Sequence, residues 1–531
     1  MTENYLNILA ETIRNNWDQP ALTDFYLTED GTAQDISRGN HYTYGEMYAE
    51  LCRVAELLTS LGLQKGDHIA ICGANSAHWA IAYLAIAKMQ GVSVTVMHTL
   101  MPDEIARLID FSDAKALFTD GDIWEELLPS FQREELCSIE RPVEGRRISG
   151  DRLSSVISLA DWSILRGEKI TNYKLQITNG EIGFSPVEPD SLAMICFTSG
   201  TTGASRGVML SYRNISYTIA YQVEEYLGHF ARTNTISLLP LGHLYGCIDE
   251  FVRNMYLGTH VNILKNAFSV DLIVQSYRII QPSYVALVPF LLKHFMEAPL
   301  NPHSVTDFFG DKIEKVFVAG AELSKDTEIK LMSIQFPLLK GYGATECSPS
   351  IANSITCEQK IGSVGKPVSR TMIKIAFNGE ILVKGENVML GYYKDPAATA
   401  AKIDSDGWLH TGDKGHLDED GYLYVEGRLE QDIIVLPNGE NIRPDNIESL
   451  INALPEVSES IVLARDGKLV AIVVPQIANH QSQITNTDLR HIILRNINPS
   501  LPLFSQLYDV EISDTPLQRT EKQTIKRYLY K

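Results

Sequence analysis

The sequence predicts an α/β fold, in which a large N-terminal domain of layered α/β sheets carries a small β subdomain and is followed by a small α+β domain. Apolar runs of strand type alternate with helical patterns over residues 42–118 and again over residues 191–336, and this alternation is typical of helices layered on a sheet. Short strands separated by Gly and Asp turns dominate residues 364–424. We divide the chain into domains of residues 1–427 and 428–531.

The first alternating block is predicted from its hydrophobic spacing. Apolar residues recur at helical intervals in some stretches and form short continuous runs in others. The predicted helices are 47–61, 78–89 and 104–110, and the predicted strands are 67–72, 92–96 and 116–118. Residues 122–186 are largely polar, so we expect irregular and variable surface there.

The C-terminal segment has a pattern of its own. The predicted strands are 432–436, 460–465, 469–474 and 509–513, and the predicted helices are 446–454 and 488–496. About 100 residues of mixed helix and strand are enough to fold as a separate domain. We therefore expect a hinge at residues 427–431.

A loop rich in Thr, Ser and Gly, here called the Thr/Gly loop, follows the apolar run 192–197. It comprises Thr198, Ser199, Gly200, Thr201, Thr202 and Gly203, and Arg206 follows it. Glycines let backbone N–H groups approach an anion, hydroxyls donate further hydrogen bonds, and an arginine binds phosphate in fork geometry. A second apolar run follows at once, which favours a polyphosphate site over a flexible linker. The loop is not a Walker loop, which needs Gly-Lys before Ser or Thr.

The composition bounds the partners and the compartment. A net charge of −20 argues against broad contact with nucleic acid or an anionic membrane, so a bound polyphosphate must be neutralised locally. Seven cysteines without Cys-x-x-Cys or zinc spacing indicate free thiols in a reducing compartment, and we expect a cytoplasmic protein. Because neither a signal-peptide pattern nor a run of about 18 apolar residues occurs, we expect no secretory leader and no membrane-spanning helix.

Residues 198–207, TSGTTGASRG, resemble the signature loop of the adenylate-forming superfamily, which comprises acyl-CoA synthetases, the adenylation domains of peptide synthetases and luciferases. The resemblance implies that the Thr/Gly loop wraps the β- and γ-phosphates of ATP. It also implies that the small C-terminal domain is a mobile lid, which rotates between two half-reactions. The superfamily's usual Pro-Lys is replaced by Ser205-Arg206, which keeps a cation of different shape.

A tyrosine between two glycines, followed by Thr and Glu, forms a second candidate element: Gly341, Tyr342, Gly343, Thr345 and Glu346. The ring offers a stacking face for a base, the glycines leave room beside it, and the carboxylate offers hard oxygen ligands to Mg²⁺. The segment resembles the superfamily's Tyr-Gly-x-Thr-Glu element. By that resemblance Tyr342 stacks on adenine, Thr345 contacts the α-phosphate and Glu346 binds Mg²⁺. The alternative is a surface turn with one exposed Glu.

A third match lies at residues 407–413, which resemble the superfamily's Gly-Trp-x-x-Thr-Gly-Asp. The ionised carboxylate of Asp413 can accept two hydrogen bonds from a ribose diol, although an ordinary Asp turn explains the same letters. The resemblance also implies that Arg428 lies near the ribose and phosphate. Residues 391–393, Gly-Tyr-Tyr, are a weaker match, which we interpret as mostly architectural.

The resemblance assigns roles to a further set of residues. It implies that Gly320, Ala321 and Glu322 line the adenine and acyl pockets. It implies that His243, in Leu-Pro-Leu-Gly-His, lies near the acyl carboxylate. It also implies that Gly439 belongs to a loop that the lid brings to the site for the second half-reaction.

The chain departs from the superfamily at its C-terminal catalytic lysine. Aligning on Ile525 and Arg527 places Thr524 where the superfamily carries that lysine, with Lys522 and Lys526 on either side. Residues two apart in an extended segment point to the same side. We therefore expect Lys522 to reach the position reserved for residue 524.

The resemblance implies an enzyme that uses ATP and Mg²⁺ to convert a carboxylic acid into an acyl-adenylate and then transfers the acyl group to CoA. Residues 282–292 resemble a segment beside the acyl tunnel of long-chain fatty acid synthetases, which favours a medium- or long-chain fatty acid, although a buried strand entering a core helix explains them equally. Two alternatives stay open. One is a ligase that loads a carrier protein, and the other is a nucleotide- or acyl-binding homologue whose adenylation is impaired because its lysine is displaced.

Overall fold

The computed structural model describes residues 4–132, 152–168, 182–198, 205–227, 234–265, 269–289, 291–292, 302–429, 434–437, 440–476, 485–518 and 529–530. The chain separates into two compact units. The C-terminal division falls between Gly427 and Arg428, and the described residues 99–101 are grouped with the smaller unit. The larger unit is an α/β assembly of several sheets, and the smaller unit is α+β. The predicted fold class is confirmed.

Strands and helices alternate along the larger unit. The strands are β1 (Pro20–Phe25), β2 (His41–Thr43), β3 (His68–Cys72), β4 (Val92–Thr95), β5 (Ala116–Thr119), β6 (Ser155–Ser158), β7 (Ile164–Arg166), β8 (Leu192–Thr198), β9 (Arg206–Ser211), β10 (Asn234–Ser237), β11 (His260–Leu264), β12 (Tyr284–Leu287), β13 (Lys315–Val318), β14 (Leu338–Gly343), β15 (Ser350–Asn353), β16 (Lys366–Pro367), β17 (Met372–Ile375), β18 (Glu380–Lys384), β19 (Gly391–Tyr392), β20 (Leu409–Leu417) and β21 (Leu423–Arg428). The helices are α1 (Tyr5–Asn15), α2 (Tyr44–Ser60), α3 (Ala77–Lys88), α4 (Pro102–Phe111), α5 (Gly121–Gln132), α6 (Tyr212–Leu227), a π-helix (Tyr245–Val252), α7 (Arg253–Tyr256), α8 (Val270–Ile280), α9 (Pro302–Phe309), α10 (Lys325–Ser333), a 3₁₀ turn (Thr345–Cys347) and α11 (Pro396–Lys402).

An eight-stranded sheet forms the main layer of the larger unit, in the order β19-β9-β8-β4-β3-β5-β6-β7. Its middle strands run parallel, and β9 returns antiparallel to β8. Residues 77–87 of α3 are all buried, which explains why this helix is apolar on every side. Ser76 begins it by accepting a hydrogen bond from Trp79 N–H at 3.0 Å.

The prediction of irregular surface over residues 122–186 is wrong for part of that stretch. Helix α5 begins at its start, and β6 and β7 form one edge of the eight-stranded sheet, with β6 parallel to β5. These two strands have only four and three residues, so no alternation can be recognised within them. Their pairing, rather than their own sequence pattern, stabilises them.

Three smaller sheets occur among the described residues of the larger unit, in the orders β10-β11-β1-β2, β12-β13-β14-β15-β16 and β17-β18-β20-β21. The last is the predicted β subdomain. Strands β12, β13 and β14 run parallel, so their carboxyl ends meet at one edge, which is where ligands bind in open α/β sheets. Residues 319–321 follow β13, and residues 341–343 end β14. The fold therefore brings two predicted site segments to the same edge.

The smaller unit has its own core. Its strands are β22 (Ile434–Val435), β23 (Asn441–Ile442), β24 (Val457–Arg465), β25 (Lys468–Pro475) and β26 (Leu507–Ile512), and its helices are α12 (Pro444–Asn452) and α13 (Asn486–Ile497), with 3₁₀ turns at Asn498–Ser500 and Leu503–Ser505. β25 pairs antiparallel with β24 and parallel with β26. The strands and both helices contribute to one apolar cluster. In the part of the chain that the structure describes, no helix has the length and apolarity to cross a bilayer.

A buried ion pair anchors β14, the strand that carries Tyr342 near its end. The side chains of Lys340 and Glu328 are in direct contact and are 6% and 1% exposed. The other Glu328 oxygen accepts a hydrogen bond from Gly362 N–H at 2.8 Å. Burial lowers the pKa of Lys340, and Glu328 opposes this effect. The pair fixes the strand that carries a predicted site residue.

Removing the cation of this pair should be strongly destabilising. Lys340→Met is expected to lower the free energy of unfolding by about 3–5 kcal/mol, because it leaves Glu328 buried without a counter-charge. Denaturant unfolding of the full chain measures the difference. The double variant Lys340→Met with Glu328→Leu should recover part of the loss. A single variant with wild-type stability would contradict this role for the pair.

Candidate active site

The Thr/Gly loop connects two adjacent strands of the main sheet. β8 and β9 pair antiparallel, with Thr198 opposite Arg206. These two residues are the last of β8 and the first of β9, so the described part of the site begins at the base of the loop. The remaining loop residues, Ser199, Gly200, Thr201, Thr202 and Gly203, lie outside the described residues, and their binding of phosphate stays a prediction.

Arg206 and Glu346 meet at the ring of Tyr392. The Arg206 guanidinium carbon lies 5.2 Å from the centre of this ring, within cation–π distance. The Tyr392 hydroxyl donates a hydrogen bond to Glu346 Oε1 at 2.8 Å. Burial, followed by the Glu346 charge, raises the pKa of Tyr392 well above its usual range, so its hydroxyl stays protonated. The predicted cation and the predicted metal ligand therefore share one neighbour.

Tyr392 is the functional residue that we missed in the sequence, where residues 391–393 were interpreted as architectural. Tyr392 is 4% exposed. The short strand β19 pairs with β9, with Tyr392 opposite Val208. Gly391 has a φ of +139° and lies against Thr399. The glycine before Tyr392 was the available sequence signal, since glycine favours such a backbone conformation. Nothing in the sequence showed that the following tyrosine contacts Glu346.

The carboxylate of Glu346 fits a role as a magnesium ligand. Glu346 is half-buried in the 3₁₀ turn beside the buried Thr345. Its Oε1 is held by Tyr392, and no described residue forms a hydrogen bond with its Oε2. Among the described residues, no group of three or more His, Cys, Asp or Glu side chains gathers as a metal site. A single carboxylate matches Mg²⁺ that takes its other ligands from phosphates and water.

The two residues predicted to hold adenosine contact each other. The Tyr342 hydroxyl donates a hydrogen bond to Asp413 Oδ2 at 2.5 Å. Asp413 is 6% exposed and follows Gly412, which has a φ of +79°. Thr411 Oγ1 accepts from Asp413 N–H at 3.0 Å and donates to the Ile381 carbonyl at 2.7 Å. Asp413 therefore lies within β20, in a segment that the Thr411 side chain fixes to β18.

The carboxylate of Glu380, on β18, supports the same segment of β20. Glu380 accepts hydrogen bonds from Gly412 N–H through Oε1 at 2.9 Å and lies 2.9 Å from His410 Nδ1 through Oε2. Glu380 is 8% exposed, so these contacts satisfy a buried charge. The backbone that leads to Asp413 is consequently held by side chains on two strands.

The glycines beside Tyr342 are required by the packing of the protein. A Cβ at Gly341 would lie 2.3 Å from Phe317 Cζ, and a Cβ at Gly343 would lie 1.9 Å from the Pro349 carbonyl oxygen. The space that the sequence assigned to an approaching base is thus occupied by a ring and by a backbone carbonyl. Stacking of a base on the half-buried ring of Tyr342 stays a prediction.

His243 is a neutral hydrogen-bond donor. Its Nδ1 accepts a hydrogen bond from Tyr245 N–H at 3.2 Å, which places the ring proton on Nε2. His243 is exposed at the surface, and the protein atoms that surround the rest of the ring lower the pKa of the imidazole by desolvation. A neutral imidazole can orient a carboxylate without supplying a full positive charge.

A buried carboxylate fixes the turn that carries His243. Glu250, on the π-helix, accepts through Oε2 from Ser237 Oγ, Leu238 N–H and Leu239 N–H at 3.1, 3.0 and 2.9 Å. Its complete burial raises its pKa to about 8 despite these donors. π-Helices occur frequently at functional sites, and this one ties the end of β10 to the helix that follows His243.

An apolar and aromatic cluster lies beside Gly320. Its buried members are Leu239, Tyr245, Tyr284, Ala286, Val288, Phe317, Ala319 and Leu339. Gly320 has a φ of +86°, and a Cβ there would lie 3.6 Å from Val288 Cγ1 and 4.0 Å from Tyr245 Cδ1. The next two residues are less enclosed, since Ala321 is half-buried and Glu322 is exposed. This cluster, here called the aromatic cluster, is the candidate wall of an acyl pocket.

The remaining predicted site residues cannot be placed. The side chain of Arg428, the Gly439 backbone and both candidate lysines, Lys522 and Lys526, lie outside the described residues. Their roles stay predictions.

The chain belongs to the AMP-binding enzyme family. The family model described as "AMP-binding enzyme" matches residues 9–393, and a second model, "AMP-binding enzyme C-terminal domain", matches residues 431–530. The adenylate-forming superfamily predicted from the motifs is thereby confirmed. A particular likeness to long-chain fatty acid–CoA ligases stays a prediction.

Known proteins similar to this chain include plant CoA ligases. A 4-coumarate–CoA ligase 3 of Oryza sativa subsp. japonica is 26% identical over 490 residues, covering 87% of this chain and 83% of that protein. The peroxisomal OPC-8:0-CoA ligase 1 of Arabidopsis thaliana is 24% identical over 452 residues, covering 82% and 79%.

Solved structures share the fold over nearly the whole chain. The o-succinylbenzoate CoA synthetase of Bacillus subtilis aligns with a TM-score of 0.73 and 23% identity, covering 99% of this chain and 98% of the other. The amide bond synthetase of Marinactinospora thermotolerans aligns with a TM-score of 0.76 and 22% identity, covering 98% of each. At these identities the likeness establishes the fold alone.

Proposed function

We propose that the protein is an AMP-forming acid–CoA ligase. The observation that supports the proposal most is the contact of Arg206 and Glu346 with Tyr392, since it brings a cation at the base of the Thr/Gly loop and a carboxylate suited to Mg²⁺ to one neighbour. The Tyr342–Asp413 contact supplies a candidate adenosine site in the same unit. The names of the similar plant proteins, which are CoA ligases, support CoA as the acceptor.

In the first half-reaction, a carboxylate oxygen of the acid attacks the α-phosphorus of ATP, and the bond to the bridging oxygen of pyrophosphate breaks. No covalent enzyme intermediate is needed, so the protein acts by positioning and charge stabilisation. In this proposal Arg206 neutralises charge on the departing pyrophosphate, and Thr345 donates a hydrogen bond to the α-phosphate. Glu346 would hold Mg²⁺, which neutralises phosphate charge when bound.

In the second half-reaction, a thiol that has lost its proton to solvent attacks the acyl carbon, and the new C–S bond forms a thioester. The bond between the acyl carbon and the phosphate oxygen breaks, and AMP leaves with that electron pair. His243 is neutral, so its Nε2–H can orient the acyl carboxylate before adenylation without trapping it in a full ion pair. Asp413 holds the ribose in both half-reactions. The lid residues around Gly439 are assigned to the thiol step by the family resemblance.

The acyl group is proposed to be that of a medium- or long-chain fatty acid, on the basis of residues 282–292. These residues include β12 and Val288, and they contribute to the aromatic cluster, the candidate wall of the acyl pocket. A second candidate is an aromatic acid, because Tyr245, Tyr284 and Phe317 supply three rings to that wall. The names of the similar 4-coumarate–CoA ligases support this second candidate.

ATP–pyrophosphate exchange with a panel of acids tests the proposal. Saturated acids of increasing chain length should be compared with aromatic acids, each with and without Mg²⁺. Exchange with no acid in the panel would favour a binding protein with impaired adenylation. Thioester formation with CoA, compared with a carrier protein bearing a phosphopantetheine thiol, then identifies the acceptor.

We also propose a reducing, cytoplasmic location. The cysteines among the described residues are free and mostly buried, which supports this proposal.

The displaced lysine gives a direct prediction. Lys522→Ala is expected to slow adenylation at least tenfold, because a positioned cation at the reacting oxygens stabilises charge in the transition state. Lys526→Ala is the matched control and should have little effect. Exchange rates of both variants measure the difference. Equal activity of both variants and the wild type would exclude a catalytic lysine in this segment.

A further inference from the structure

We propose that Tyr392 is a positioning residue that sets the affinity of the site for Mg²⁺ by fixing the orientation of the Glu346 carboxylate. This inference rests on the proposed function. It assigns a role to a residue outside the motifs that bind ATP by resemblance.

The hydroxyl of Tyr392 constrains one oxygen of Glu346. Its hydrogen bond to Oε1 measures 2.8 Å, a distance typical of a good O–H donor to a carboxylate. A hydrogen bond to Oε1 restricts rotation of the carboxylate and leaves Oε2 as the oxygen that would bind a metal. Partners of metal ligands act in this way, and their removal typically reduces metal affinity about 10- to 100-fold.

The backbone of Tyr392 is itself held firmly. Tyr392 N–H donates to Thr399 Oγ1 at 2.9 Å, and Tyr393 N–H donates to the Gly207 carbonyl at 2.8 Å. Met389 N–H donates to the carbonyl of Glu346 at 2.9 Å. The segment thus contacts both the strand that leaves the Thr/Gly loop and the turn that carries Glu346. A phenol held on such a segment can orient a carboxylate with little loss of conformational entropy.

The face of the same ring is used by Arg206. The guanidinium carbon lies 5.2 Å from the ring centre, so deletion of the hydroxyl alone leaves a ring on which the cation can rest. Tyr392→Phe removes the hydrogen bond to Glu346 and also the hydroxyl that Arg206 contacts, and it retains the ring surface beneath the guanidinium.

The experiment compares Tyr392→Phe with Tyr393→Phe. The adjacent Tyr393 also donates its hydroxyl to a carboxylate, Asp113 Oδ2, at 2.8 Å, so the control removes the same atom from a similar contact. Calorimetric titration of ATP, at a series of Mg²⁺ concentrations and without acid substrate, measures the Mg²⁺ dependence of binding directly. ATP–pyrophosphate exchange over the same series gives the kinetic counterpart.

We expect Tyr392→Phe to raise the Mg²⁺ concentration for half-maximal ATP binding about 10- to 100-fold, with the exchange rate returning close to wild type at saturating Mg²⁺. Tyr393→Phe should not change the Mg²⁺ requirement. A general loss of stability would not produce recovery at high Mg²⁺. Thr399→Val, which loosens the Tyr392 backbone while keeping the side-chain shape, should raise the requirement in the same direction by a smaller factor.

An unchanged Mg²⁺ requirement in Tyr392→Phe, with wild-type protein that binds ATP in a Mg²⁺-dependent manner, would overturn the inference and leave the proposed function standing. A lower exchange rate that saturating Mg²⁺ does not restore would also overturn it, since the hydroxyl would then act on the chemical step. Wild-type protein without Mg²⁺-dependent ATP binding would instead overturn the proposed function.

Discussion

Glu346→Gln is expected to lower the rate of acyl-adenylate formation about 10²- to 10³-fold, equivalent to about 3–4 kcal/mol of transition-state stabilisation. The amide oxygen can still accept the hydrogen bond from Tyr392, so the local packing is retained. The variant loses the negative charge that a hard divalent cation requires. ATP–pyrophosphate exchange at saturating acid measures the loss. Chelation of Mg²⁺ should abolish exchange in the wild type.

The dependence on Mg²⁺ distinguishes this variant from one that merely perturbs the site. High Mg²⁺ should not restore Glu346→Gln, because the ligand itself is altered, whereas it should restore Tyr392→Phe. Glu419→Gln provides a control, since Glu419 is an exposed residue in the turn before β21. Near-wild-type exchange in Glu346→Gln would show that the metal binds elsewhere, and the mechanism proposed for Glu346 would be wrong.

Elements that carry a continuous apolar run could be predicted from the sequence, whereas strands within a polar stretch could not. The predicted helix 78–89 corresponds to α3, and the predicted strands 460–465 and 469–474 correspond to β24 and β25. These segments bury continuous apolar surfaces that leave a clear pattern. β6 lies in a polar stretch and exists because β5 offers it hydrogen bonds. Its stability depends on a partner that the local sequence does not reveal.

The candidate site shows the same limit. Motifs identified Tyr342 and Asp413, yet they are 71 residues apart in the chain, and only the fold shows their hydrogen bond. Glu346 and Tyr392 are likewise 46 positions apart in the chain, and only the fold shows their hydrogen bond. Local chemistry can show that a residue is suited to a ligand. Contacts between distant residues depend on sheet order and register, which a single sequence does not determine.

Asp413→Asn is expected to weaken ATP binding roughly 10- to 100-fold, because hydrogen bonds to a charged group contribute about 1.5–3 kcal/mol. The amide keeps one acceptor oxygen, which Tyr342 can still use, but it replaces the other with an N–H₂ donor. A ribose diol needs two acceptors. Calorimetric titration with ATP measures the change, and the exchange rate at saturating ATP should fall much less.

The assignment of Asp413 to the ribose can be separated from a general disturbance of the pocket by changing the ligand. Wild-type protein should bind 2′-deoxy-ATP several-fold more weakly than ATP, since one hydrogen bond to the carboxylate is lost, whereas Asp413→Asn should discriminate less between the two nucleotides. This reduced discrimination is the coupling expected when variant and ligand alter the same contact. Tyr342→Phe leaves the Asp413 carboxylate in place and should preserve discrimination. If Asp413→Asn still preferred ATP as strongly as the wild type, the carboxylate would not contact the 2′-hydroxyl, and its buried position would instead reflect a structural bond with Tyr342.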